Sequence, residues 1–264
     1  MDEIRVEEKI SIVRACRIIA WDRSGYYYTS VRDDREVEDK LREYAAKLPN
    51  RGCPEYTKRI RREGLRWNHK RIERVYVKLG LNKRRRKMKR RIPNPEKLPL
   101  LQPLAANITW SADFMEDRLE NGRKVRILNI IDDYNREALL CQASFSFPSE
   151  KVVELVKRTI EWYGKPMTIR TDNGTEFIAK AFESFCLTSS ITLQRIQKGK
   201  PMQNGYCERF NKGFREDVLD AYIFETLEQV QELADAWRED YNHNHPHSSL
   251  GDCTPIEFKQ KRSA

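Results

Sequence analysis

In its first third the chain carries apolar residues at helical spacing. From Asp33 to Leu48, the residues Val37, Leu41, Tyr44, Ala45 and Leu48 fall at i, i+4, i+7, i+8 and i+11, one stripe of an amphipathic helix. Ile4 to Ile19 reads as an earlier helix, with Ser24-Gly25 marking its exit. A short, well-punctuated unit follows. Pro54 opens a helix to about Glu63, Gly64 ends it, Asn68 caps a second helix from His69 to Leu79, and Gly80 closes that one. Two helices joined by a tight Gly-containing turn have helix-turn-helix proportions. On the second, Ile72, Val75, Tyr76 and Leu79 share a face and leave Lys70, Arg71, Arg74 and Lys78 outward.

From Asn107 the period drops to two. Trp110, Ala112 and Phe114 alternate with Ser111, Asp113 and Met115; Glu120-Asn121-Gly122 makes a hairpin turn; Val125 to Ile131 and Glu137 to Phe145 return as two further strands. Helix Ser149 to Tyr163, strand Met167 to Thr171, helix Glu176 to Leu187, strand Thr192 to Ile196 and a helix containing Glu208 complete the pattern. A three-strand meander followed by αβαβα predicts an α/β fold, a mixed five-stranded sheet flanked by helices, with an all-α region before it.

Charge divides the chain further. Residues 51 to 91 hold 18 Lys/Arg against three Asp/Glu, whereas residues 101 to 264 hold 21 against 25. The basic excess implies a polyanion partner, most economically double-stranded DNA, and the outer face of the second short helix has the charge layout of a groove-reading helix. Lys83 to Arg91 (KRRRKMKRR), with Arg84, Arg85 and Arg86 at its centre, reads as an arm that tracks phosphates. Pro93, Pro95, Pro99 and Pro103 mark a stiff linker. The expected units are a helical segment 1–50, a basic helix-turn-helix and arm 51–92, a linker 93–106 and a core 107–264. Residues 1 to 20 carry charge throughout, which argues against a signal peptide or membrane span and for the cytoplasm. The six cysteines show no C-x-x-C pair, so reduced structural thiols are expected.

Three carboxylates carry the candidate chemistry. Asp113 sits near the carboxyl end of the first strand and Asp172 just past the end of the fourth. If those strands are parallel neighbours, both acids emerge at one sheet edge, where α/β proteins place their ligand crevices. Asp132 and Asp133 end an antiparallel strand at the opposite edge, which makes them turn residues. On the last core helix Tyr206, Phe210, Phe214 and Val218 form the apolar stripe, leaving Asn204, Glu208, Asn211, Lys212 and Arg215 on the other side. Three clustered carboxylates would suit a hard divalent cation, Mg2+ with Mn2+ as a substitute, in a displacement at phosphorus.

The segments WSADF, TDNGTEF and NGYCERFN, with 35 residues between Asp172 and Glu208, resemble the D,D(35)E signature of the retroviral-integrase-like transposases. They are most similar to the second-frame protein of two-frame bacterial insertion sequences. GRKVRILNIIDDYNRE, Gly199-Lys200-Pro201 and the ending YNHNHPHSSLGDCTP sharpen the resemblance, and EGLRWNHKRIERVYVKLGL resembles that family's helix-turn-helix. The resemblance implies an RNase H-like core and a DNA 3′-end cleavage followed by strand transfer. It implies Asp113, Asp172 and Glu208 as metal ligands, with no protein general base. Its expected partners are terminal inverted repeats and target DNA, a homo-oligomer on paired ends, and a first-frame protein or fusion, with no membrane.

Lys200, Gln203, Asn204 and Arg209 are candidates for gripping the strand near Glu208, and Gly205 for letting backbone or DNA approach closely. Where the family usually has Arg-Pro-His, this chain has His245-Pro246-His247, a weakened phosphate contact. Glu176 is expected to complement a helix dipole, and Trp237 and Tyr241 to pack the last helix. Zinc at His243, His245 and His247 is poorly supported by their spacing. Two other functions fit parts of the pattern: a non-catalytic DNA-binding regulator or inhibitor of transposition, and a structure- or hybrid-selective nuclease.

Overall fold

The computed structural model describes residues 10–28, 33–82, 102–197 and 204–263. Helices α1 (Ile12–Ile18) and α2 (Arg23–Tyr27) come first. Contrary to expectation, Ser24-Gly25 lies within α2; the break comes earlier, at Ala20, whose φ is 51°. Helices α3 (Arg35–Lys47), α4 (Cys53–Arg62) and α5 (His69–Lys78) pack on one another. Their shared core is Val37, Leu41, Tyr44, Tyr56, Ile60, Ile72, Val75 and Tyr76; the α3 and α5 residues are the stripes read from the sequence, and α4 adds Tyr56 and Ile60. Asn68 caps α5 by accepting from the Lys70 amide at 3.0 Å.

The sheet contains β1 (Thr109–Arg118), β2 (Lys124–Asp132), β3 (Ala138–Ser144), β4 (Thr168–Thr171) and β5 (Thr192–Arg195) in the order β3-β2-β1-β4-β5. β1 runs antiparallel to β2 and parallel to β4, as the meander and crossover pattern requires. On one face α6 (Ser149–Tyr163) and α8 (Lys180–Thr188) cover Trp110, Ala112, Leu128, Ile130 and Ile169. The expected single helix from Glu176 to Leu187 is broken at Ala179 into α7 (Thr175–Ile178) and α8, so that Phe177 and Phe182 both reach this core. On the other face lie α9 (Gly205–Phe214) and α10 (Leu227–Asn244), where Phe210, Phe214, Trp237 and Tyr241 interlock. A five-residue π-helical turn, Arg215–Leu219, prolongs α9, and its wider register buries Asp217, Val218 and Leu219 in succession. Helix α11 (Pro255–Ser263) ends the described chain.

The helical region sits on the core through ion pairs. Arg51 donates to Asp217, Arg59 to Asp240 at 3.0 and 2.8 Å, Arg62 to Glu257 at 2.8 and 2.5 Å, and Lys58 reaches Asp252 at 2.5 Å. His245 Nδ1 lies 2.9 Å from Glu55 on α4. Burial pushes the Glu55 carboxyl up, but the hydrogen bond and charge of His245, joined by Arg59, outweigh it and hold it down at about 2. The Arg62 hydrogen bond likewise holds Glu257 at about 2. Both carboxyls are lowered on folding, so their contribution is complete above the ordinary value near 4.5 and is lost as pH falls from there toward 2. Urea midpoints measured at pH 6, 4 and 3 should therefore fall, most steeply between pH 4 and 3, and Glu55→Gln should flatten that fall. A slope unchanged by Glu55→Gln would refute the assignment.

Candidate active site

Asp113 and Asp172 lie side by side on adjacent parallel strands, since Ser111 of β1 pairs with Arg170 of β4 and each acid lies two residues further on; β4 ends at Thr171, but β1 runs on to Arg118, so Asp113 lies mid-strand and not near the carboxyl end as expected. Asp113 Oδ1 accepts from the Phe114 amide at 2.9 Å, and its Oδ2 accepts from Asn211 Nδ2 at 2.8 Å. Asp172 Oδ1 accepts from the Gly174 amide at 3.0 Å. Burial, and next the charge of Asp172, raise the Asp113 carboxyl to about 6; the Phe114 amide opposes this, and Glu208 adds a smaller upward push. The three acids thus share one electrostatic neighbourhood. Among the described residues, however, no three His, Cys, Asp or Glu side chains are gathered closely enough to hold a metal ion. The donor set itself, three carboxylates with no sulfur or imidazole, is the kind that hard divalent cations take.

Asn211 joins the glutamate helix to the sheet, a role the sequence pattern missed. It was expected on the outward side of α9 but is buried, and its Oδ1 accepts from Asn129 Nδ2 at 2.8 Å. Asn129 is the β2 residue in register with Asp113. The signal was available: Asn211 follows Glu208 by three residues, which puts both on one side of a helix. Asn204, also expected outward, is 3% exposed, so burial removes it from the strand-gripping candidates. α9 rolls further toward the sheet than the aromatic spacing suggested, burying Cys207 and Asn211 and leaving Tyr206 half-buried. A Cβ on Gly205 would meet no atom of the described residues within 4 Å, so no backbone among them demands glycine there.

Asp132 and Asp133 lie at the opposite edge, as expected, yet they are buried anchors and not solvated turn residues. Asp132 accepts from the Asn107 and Tyr134 amides at 2.7 and 2.8 Å, and Asp133 pairs with Arg170 at 2.5 Å. Glu176 forms an ion pair with Arg126, which outweighs any dipole effect in the four-residue α7.

The basic candidates divide. Arg71 and Arg74 both pair with Asp34, at 3.0 and 2.8 Å, and Lys78 pairs with Glu38 at 2.6 Å. The expected reading face is therefore largely ion-paired to α3. Lys70 and Arg209 are exposed and form no ion pair among the described residues. Arg84, Arg85, Arg86, Lys200 and Gln203, with Gly199-Lys200-Pro201 and the prolines at 93, 95 and 99, lie outside the described residues. His245, expected as a weakened phosphate contact, faces Glu55. His243 lies 3.5 Å from Glu239, and burial first, then the charge of His245, lowers His247 to about 3.

A mixed sheet of order β3-β2-β1-β4-β5, with one acid on β1, a second just past the end of β4 and a glutamate-bearing helix across its face, defines an RNase H-like core of the integrase type. The integrase core domain family matches residues 103–201 and again residues 189–255. A 31.7 kDa protein of insertion element IS407 from Burkholderia multivorans is 38% identical over 267 residues, covering 100% of this chain and 96% of its own length. A 39.2 kDa protein of insertion element IS476 from Xanthomonas euvesicatoria is 33% identical over 247 residues, 93% of this chain and 71% of that one. A solved structure, the simian T-cell lymphotropic virus intasome with the PP2A regulatory subunit B56 gamma, shares the fold at a TM-score of 0.50 and 16% identity, covering 84% of this chain and 74% of that one. The chain belongs to the insertion-element transposases with a retroviral-integrase-like core.

Proposed function

We propose that this protein cuts the 3′ ends of its insertion element and joins them to a second DNA strand in a divalent-metal-dependent reaction. The observation that carries the proposal is the convergence of Asp113 and Asp172 at the β1/β4 edge, with Asn211 tying the helix of Glu208 to the same carboxylate. Mg2+, or Mn2+ in its place, held by these three residues would supply Lewis acidity for displacement at phosphorus. The chain's own part is to keep Asp113 and Asp172 facing one crevice and to present Glu208 beside them. The Asn129–Asn211 bridge fixes the height of α9 above β2, and the Asn211–Asp113 bond its height above β1. Lys70 and Arg209, with the arm at Arg84, Arg85 and Arg86 and the loop at Lys200 and Gln203, are assigned to the DNA backbone. Arg71, Arg74 and Lys78 are assigned there too, on release from Asp34 and Glu38. Double-stranded terminal repeats and target DNA are the substrates, a homo-oligomer on paired ends is the working form, and a first-frame protein or fusion is a partner.

The test is purified protein with Mg2+ and a duplex bearing the element's terminal repeat. Nicking at the 3′ end that Asp172→Asn abolishes supports the assignment. Terminal-repeat binding without any nicking, even with the first-frame segment supplied, would establish the regulator instead, and cleavage of RNA in a hybrid without joining would establish the nuclease.

Gly174 gives a subtler expectation. A Cβ there would stand 3.0 Å from Asp172 Oδ1 and 3.3 Å from Glu176 Oε2, so the Asp172 carboxylate must move to admit it. Gly174→Ala should slow joining by up to about 10-fold, since the required shift is a few tenths of the ångström-scale misplacement that costs about 100-fold, while repeat binding is unchanged. Wild-type rates in Gly174→Ala would show that this close approach is irrelevant.

A further inference from the structure

The DDYNRE segment between β2 and β3 is the sequence motif that the three acids leave unexplained. Its backbone is firmly held. Asp132 accepts from two amides, Asn135 Nδ2 reaches Glu137 Oε2 at 3.1 Å and the Pro255 carbonyl at 3.2 Å, and Asp133 is committed to Arg170. On this platform Arg136 adopts a φ of 64°, a left-handed conformation that costs energy for a residue with a side chain. Its amide donates to the Asp132 carbonyl at 2.9 Å. Arg136 is 6% exposed, its Nη1 is buried with no hydrogen-bond partner among the described residues, and its guanidinium carbon lies 3.4 Å from the centre of the Tyr206 ring. A strained, buried cation is thus laid against an aromatic face in the first turn of the glutamate helix.

The position of that ring matters. Tyr206 and Glu208 are two residues apart, so they project about 200° apart around α9, on opposite flanks of the buried stripe. Aromatic packing by Phe210 and Phe214 fixes the depth of a helix but resists rolling about its axis poorly, because such contacts have no direction. Directional contacts resist the roll: near Glu208, Asn211 to Asp113 and Asn129 on one side and Arg136 on the Tyr206 side, and further along, Arg215 to the Glu116 carbonyl and Arg51 to Asp217. Losing Arg136 or Asn211 removes a directional contact at the end of the helix that carries Glu208.

We propose that Arg136 is a positioning residue for the reaction, acting through the face of Tyr206 to set the rotation of α9 and so the place of Glu208. The inference rests on the assignment of Glu208 to the metal-binding trio. The test uses the full chain in two assays: Mn2+ binding followed by electron paramagnetic resonance without DNA, and Mg2+-dependent joining of terminal-repeat ends, each on variants whose melting curves show a folded protein. Arg136→Met and Tyr206→Leu should each weaken Mn2+ binding by about 10-fold and slow joining by about 10- to 100-fold, with repeat binding intact. The double variant should be no worse than either single one, since the two side chains act as a unit. Tyr206→Phe, which keeps the ring, and Arg136→Lys, which keeps the cation, should each restore most of the loss.

Folded Arg136→Met with wild-type Mn2+ binding and joining would overturn the proposal. So would a double variant whose losses multiply. If Arg136→Met does not fold, Tyr206→Leu compared with Tyr206→Phe decides, and equal behaviour of those two overturns it. A wild-type protein that fails to join ends and fails to bind Mn2+ would instead sink the proposed function itself, whereas an active wild type indifferent to these substitutions sinks only the role of Arg136.

Discussion

Glu208→Gln is expected to bind terminal-repeat DNA with unchanged affinity and salt dependence and to join ends at a rate at least about a thousandfold below wild type. The amide keeps the size and reach of the side chain and removes its charge, so an oxygen donor suited to a hard cation is lost while the shape of α9 is retained. The several kcal/mol of transition-state stabilisation that such a cation supplies set the size of the loss. Stability should hold or rise slightly, because the charge of Glu208 adds to the repulsion felt by Asp113. Fluorescence anisotropy across a salt series and a joining assay measure the two halves separately. Residual joining above a hundredth of wild type would overturn the metal-ligand role assigned to Glu208, whatever its sequence context.

The second large effect concerns folding. Asp217→Ala should lower the free energy of unfolding by about 3–5 kcal/mol, the range for breaking a buried ion pair from one side. Asp217 is 5% exposed, and its Oδ2 accepts from Arg51 at 2.9 Å through Nε and from Trp237 Nε1 at 2.9 Å. Truncation strands a guanidinium and an indole N–H together. The double variant Arg51→Met with Asp217→Ala should recover part of the loss, since it removes the stranded charge. Urea unfolding of the two variants beside wild type reads this directly. A loss under 1 kcal/mol for Asp217→Ala would mean that the helical region is only loosely seated.

Strand order was legible because it depends on parity and connection length. Alternation at Trp110 to Met115, a Gly122 hairpin and helices before the fourth and fifth strands leave few arrangements, and the one observed follows. The pairing of Asp113 with Asp172 came with it. The destination of charge was not legible. Arg51, Lys58, Arg59 and Arg62 counted toward a polyanion partner, yet each meets an acid of the core that lies 166 to 195 residues away in sequence. A local count cannot distinguish a cation offered to a ligand from one used internally. Asn211 was missed for a related reason: an amide scores as polar in any periodicity, and only the presence of Asn129 opposite Asp113 makes burial favourable for it. The π turn after Phe214 left no mark in spacing, because the extra residue is accommodated by a change in hydrogen-bond register.

That turn makes one continuous rod of the stretch from Gly205 to Leu219, with Glu208 near one end and Asp217 near the other, about 13 Å apart at helical rise. Arg51 grips Asp217, and Asn50 donates to the carbonyl of Glu216 beside it. The rod therefore works as a lever whose handle is held by the helical region and whose tip carries a carboxylate. Asp217, bonded to Arg51 on one side and Trp237 on the other, ties the far end of that rod to both the helical region and α10.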